Sequence, residues 1–109
     1  MKSKHIISLK KKGDISSLFE KRLNVLRSKI FNINYVKNNL DELRFVIAVS
    51  KKKYKSAVTR NKIKRQVRQI LQATNIKGID IAIFANENYF ENKFEAIQND
   101  LNSLLSRIK

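Results

Sequence analysis

A regular alternation of apolar and polar positions runs from Ser56 to Leu71, where Ile63, Val67, Ile70 and Leu71 recur at helical spacing. The stretch holds no proline, glycine or acidic residue; Ser56 is placed to cap its start and Gly78 lies a little beyond its end. At about 100° per residue, Arg60, Lys64 and Arg68 form a ridge beside the apolar stripe, and Asn61 and Arg65 a second ridge next to it. Like charges four residues apart repel by roughly 0.2–0.5 kcal/mol per pair, so this band opposes the isolated helix. A negative partner outside the chain would explain it.

Shorter patterns flank the helix. Phe31, Ile33 and Tyr35 alternate with polar residues and predict a strand over Lys29–Lys37, with these three on one face. Leu43–Ser50 and Ile79–Ala85 read as buried strands, and strand, helix, strand implies a βαβ unit with parallel strands. Upstream, Asp14 caps an amphipathic helix carrying Ile15, Leu18, Phe19, Leu23 and Leu26. Downstream, Phe90, Phe94, Ile97, Leu101, Leu104, Leu105 and Ile108 mark a long C-terminal helix that follows a loop at Asn86–Asn88. Residues 1–12 are lysine-rich with little periodicity and read as a basic arm, either simply solvated or an auxiliary phosphate contact, expected to be disordered when free and ordered on RNA. Length and pattern predict a single domain over residues 1–109 that mixes helices and strands.

Charge sharpens this picture: 24 Lys and Arg against 9 Asp and Glu give a net charge of +15, which suits a phosphate-rich partner. No acidic residue occurs between Glu42 and Asp80, so the imbalance is concentrated around the basic helix and the Lys51-Lys52-Lys53 run before it. A charge run is commonly just a solvated face. Continuity with the three lysines, and Asn61 among the cations, raise the odds of a binding role, since an amide bonds phosphate or base edges. The face carrying Phe31, Ile33 and Tyr35 is open to two readings, a core face or a surface that stacks unpaired bases at about 1–3 kcal/mol each.

Other chemistry is poorly supported. There is no cysteine, His5 is the only histidine, and no phosphate-binding glycine loop occurs. Asp80 followed by Glu91-Asn92-Lys93 loosely matches a metal-dependent nuclease pattern, but Asp80 begins a strand whereas Glu91 and Lys93 lie beyond its other end. No apolar run approaches the length of about 20 residues that a membrane span needs, and no signal peptide is evident, so the cytoplasm is the expected location.

The residues Ala57-x-x-Arg60-Asn61-x-x-Lys64-Arg65-x-x-Arg68, preceded by Ser50-Lys51-Lys52 at a strand end, resemble the signature of the bacterial ribonuclease P protein subunit. Leu9-Lys10-Lys11 with Asp14 and Phe19, and Asp41-Glu42-Leu43-Arg44, extend the resemblance over essentially the whole chain. It implies an α/β (α+β) two-layer sandwich of αβββαβα-like order with a left-handed βαβ crossover, contrary to the general rule for such units. It implies as partner the catalytic RNA of ribonuclease P, which removes the 5′ leader of precursor tRNA with Mg²⁺ held mainly by the RNA. No protein-bound cofactor, catalytic side chain or obligate protein partner is expected. Lys51, Lys52, Arg60, Asn61, Lys64, Arg65 and Arg68 would contact that RNA, and Ile15, Phe19, Phe31, Ile33 and Tyr35 would line a cleft for the leader. Ile15 stands where the family usually has an aromatic residue, Ile33 where tyrosine is frequent, and the loop after Ser50 carries an extra lysine, Lys53, and no glycine. The competing readings are a general structured-RNA-binding or ribosome-associated protein, and a free-standing nuclease using Asp80 and Glu91.

Overall fold

The computed structural model describes residues 6–8 and 24–108. Five strands, β1 (Ile6–Ser8), β2 (Asn24–Arg27), β3 (Phe31–Lys37), β4 (Leu43–Ala48) and β5 (Ile79–Ala85), form one sheet in the order β1-β4-β5-β3-β2. Helix α1 (Ala57–Gln72) connects β4 to β5; a 3-10 turn (Tyr89–Glu91) and helix α2 (Phe94–Leu105) follow β5. The β1–β4 and β4–β5 pairs are parallel, and the β5–β3 and β3–β2 pairs antiparallel. The parallel β4–α1–β5 unit matches the sequence pattern.

The basic helix also begins where its sequence predicts, with the Ser56 hydroxyl accepting from Thr59 N at 3.4 Å. Its buried residues are Ile63, Val67, Ile70 and Leu71. They pack with Ile97, Leu101, Leu104 and Leu105 of α2 over Phe31, Ile33, Phe45, Ile81 and Ile83 of the sheet. The opposite sheet face carries a smaller apolar group, Ala82 with Val36, Val46 and Phe84.

Gly78 makes the turn into β5 at a φ of +77°, and a Cβ there would sit 3.3 Å from the Leu40 carbonyl oxygen. Its N–H donates to Glu42 O at 2.8 Å and its carbonyl accepts from Asn38 N at 2.9 Å, stitching this turn to the β3–β4 loop. At the other end of the sheet Ser28 closes the β2–β3 hairpin, accepting from Phe31 N at 3.0 Å and donating its hydroxyl to the Asp100 carboxylate of α2.

Three expectations are corrected. Ile6–Ser8, assigned to an aperiodic arm, is an edge strand paired with Leu43–Phe45. Leu26, assigned to the first helix, lies in β2; the rest of that helix, with Ile15, Leu18, Phe19 and Leu23, lies outside the described residues. Phe90 does not begin the C-terminal helix, because the chain makes a 3-10 turn at Tyr89–Glu91, extends through Asn92 and Lys93, and enters α2 at Phe94. The Asn92 side chain bonds the Asn88 carbonyl at 2.8 Å, a local alternative to helical pairing.

Candidate nucleic-acid interface

The loop between β4 and α1 is held as a tight turn. The Ser50 hydroxyl accepts from Lys52 N at 3.2 Å and Lys53 N at 3.4 Å, and the Ser50 carbonyl accepts from Tyr54 N at 2.9 Å. Lys51, Lys52 and Lys53 consequently point outward and are exposed. Tyr54 turns inward, donating its hydroxyl to Asn86 O at 2.5 Å and accepting from Tyr89 N at 3.3 Å. Burial, reinforced by the Glu87 and Glu91 carboxylates and opposed by the Tyr89 N–H, raises the Tyr54 pKa above the ordinary tyrosine value. The hydroxyl therefore stays a neutral donor at physiological pH.

On α1, Asn61, Lys64, Arg65 and Arg68 are exposed, and Arg60 is half-buried. Arg60 Nη1 donates to Tyr54 O at 2.8 Å and to Lys55 O at 2.9 Å, tying the helix to the lysine loop. Lys64, Arg65 and Arg68 line one wall of a groove of about 420 Å³ that Ser8, Phe45 and Ile47 also border. The ion pairs among the described residues are Arg44–Asp80 at 2.6 Å, Lys53–Glu87 at 3.7 Å and Lys77–Asp41 at 3.8 Å. None of them neutralises the α1 cations, so the structure brings six of the seven expected RNA contacts together as an exposed cationic band, with Arg60 bound inward.

The residues expected to line a leader cleft do not form an open surface among the described residues. Phe31 and Ile33 have no exposed surface and belong to the core beneath the helices, while Tyr35 is half-buried at its margin. Phe31 and Ile33 therefore offer nothing to a ligand here, and their face is the core face. Ile15 and Phe19 lie outside the described residues. The other sheet face carries Asn32, Phe84 and Ala48 as cross-strand neighbours. There, with Val49, Ser50 and Lys53, they line a second groove of about 400 Å³ beside the lysine turn.

Sequence reasoning missed the supports behind the band. Tyr89 is fully buried, donates its hydroxyl to Gln66 Oε1 of α1 at 2.7 Å, and meets Phe31 edge-to-face at 5.9 Å. Phe90, 43% exposed, packs on Tyr89 and Tyr54 and lies beneath the Lys62 ammonium at 5.6 Å. Local spacing carries no signal for these contacts, which join residues far apart in the chain.

The nuclease alternative fails on geometry. Asp80 is 2% exposed, and its carboxylate accepts from Arg44 Nε at 2.8 Å, Arg44 Nη2 at 2.6 Å and Asn38 Nδ2 at 2.8 Å. Glu91 is exposed on the 3-10 turn, and no group of three or more His, Cys, Asp or Glu capable of holding a metal occurs among the described residues. Nor is any helix among them long and apolar enough to cross a membrane.

Comparison with known proteins agrees with this architecture. A family model described as Ribonuclease P matches residues 3–109. The "Ribonuclease P protein component" of Mycoplasma genitalium is 36% identical, with 100% of this chain and 91% of that protein covered. The corresponding protein of Mesoplasma florum is 39% identical over 98% of this chain and 97% of its own length. Among solved structures, the RNase P protein of Thermotoga maritima superposes with a TM-score of 0.83 at 29% identity, covering 94% of this chain and 98% of that one.

Proposed function

The chain belongs to the ribonuclease P protein family, and we propose that it binds the catalytic RNA of that enzyme through the exposed band of Lys51, Lys52, Asn61, Lys64, Arg65 and Arg68. Its role is that of the family's protein component, in tRNA 5′ maturation with an RNA partner. The observation that carries the proposal is the band itself: exposed cations on one helix face and one turn, in no ion pair among the described residues, on a protein of net charge +15.

In this reading Mg²⁺ and the hydrolytic chemistry reside in the RNA. The protein screens phosphate repulsion between the catalytic RNA and precursor tRNA, raising substrate affinity and lowering the Mg²⁺ needed. The single-stranded leader would run along the groove lined by Asn32, Ala48, Ser50, Lys53 and Phe84, where amides, an aromatic edge and a lysine adjoin the turn. Ile15 and Phe19 enter this reading through the family resemblance alone.

A salt titration of binding to a bacterial ribonuclease P RNA tests the interface. Logarithmic affinity should fall linearly with logarithmic salt concentration, with a slope of about −0.7 to −0.9 per phosphate neutralised. The five cations of the band, Lys51, Lys52, Lys64, Arg65 and Arg68, thus give a slope of about −3.5 to −4.5; a slope near zero would exclude the band as the interface.

A further inference from the structure

Arg60 stands apart from the other cations of its helix. It lies in the opening turn of α1, where the helix dipole is positive and the sequence supplies no acidic residue, an unfavourable position for a cation. Yet its guanidinium turns back along the chain, and both protons of Nη1 are engaged by consecutive carbonyls, Tyr54 O at 2.8 Å and Lys55 O at 2.9 Å. These carbonyls belong to the segment between the lysine turn and the Ser56 cap. On the other side of Tyr54, the hydroxyl bonded to Asn86 O at 2.5 Å fixes the same segment to the end of β5. The segment is thus gripped from the helix and from the sheet, and the turn bearing the three lysines runs directly into it.

We propose that Arg60 is a positioning residue: it clamps the Tyr54 and Lys55 carbonyls so that Lys51, Lys52 and Lys53 are presented to RNA in one fixed arrangement, instead of itself contacting a phosphate. The proposal rests on the RNA-binding reading above. Two properties of arginine suit the role. A planar guanidinium holds two carbonyls at a set angle, which a single ammonium on a flexible stem does not reproduce. Because carbonyls are neutral, the positive charge also remains and adds to the potential around the turn. Pre-ordering the lysines raises affinity by reducing the entropy lost when they meet phosphates.

Arg60→Lys separates the two roles, because it keeps the charge and removes the clamp. Hydrogen exchange of the Lys52, Lys53 and Tyr54 amides in the free protein should accelerate about tenfold or more in Arg60→Lys, since bonds made by a charged donor are lost. RNA affinity should fall in Arg60→Lys nearly as far as in Arg60→Gln, with the salt slope of Arg60→Lys unchanged. Lys64→Gln serves as contrast: its affinity and salt slope should drop while exchange in the turn stays at the native rate. Native exchange in Arg60→Lys would overturn the clamp. Fast exchange with native RNA affinity would overturn its part in presenting the lysines. If the unaltered protein fails to bind a ribonuclease P RNA, the partner reading falls, while the exchange result still decides the clamp.

Discussion

Asp80 and Arg65 show how exposure decides what a charged residue is for. Asp80 is sealed beneath Arg44 and Asn38 on the sheet. Removing its charge breaks the ion pair with Arg44 and weakens the hydrogen bonds the carboxylate accepts, so Asp80→Asn should destabilise the fold by about 3–5 kcal/mol in urea denaturation. The variant should still bind RNA wherever it remains folded; loss of cleavage by a fully stable Asp80→Asn protein would revive a catalytic reading. Arg65 is exposed, projects beside a groove and makes no ion pair among the described residues. Arg65→Ala should therefore lower RNA affinity by about 1–3 kcal/mol, as loss of a charge-assisted bond does, and leave the melting temperature nearly unchanged. Parallel losses of stability and affinity would place Arg65 in the fold.

Elements differ in how far their own sequence foretells them. Helix α1 was legible because its cap, its apolar stripe and its basic ridges all follow one period, and the structure buries the same four side chains. The parallel strands β4 and β5 were legible as β-branched runs. β1 was not, since three residues are too few to show an alternation, and it is a strand because the edge of β4 pairs with it. Phe31, Ile33 and Tyr35 were correctly grouped on one face, but periodicity cannot say which face the helices cover, and the helices cover that one. The break before α2 was hidden for a related reason: Tyr89 is drawn into the core by Gln66 and Phe31, contacts formed only once distant segments pack.

That buried tyrosine makes stability depend on alkaline pH. Burial, with a smaller contribution from Tyr54, raises its hydroxyl well above the ordinary value of 10.0, so the folded state favours the neutral form. Its contribution is fully present below about pH 10 and is lost as the pH rises above that unfolded-state value. Tyr89→Phe should cost about 0.5–1.5 kcal/mol at pH 8 through the lost hydrogen bond, and should lose less further stability between pH 8 and 11 than the unaltered protein. Identical losses over that interval would mean that Tyr89 ionises freely in the folded state.

At the scale of the whole molecule, one sheet face packs against α1 and α2 in a core, and among the described residues Asp80 is the one charged side chain that is buried. The β4–α1 junction is where fold and function meet. The apolar stripe of α1 anchors the helix, the turn after β4 displays the lysines, and the Tyr54, Asn86, Tyr89 and Gln66 contacts brace that turn from behind. The decisive measurement is cleavage of precursor tRNA at physiological Mg²⁺, with this protein alone, a bacterial ribonuclease P RNA alone, and both together. Efficient cleavage at the mature 5′ end only with both is the predicted result; cleavage by the protein alone, or no stimulation of the RNA by folded protein, would contradict it.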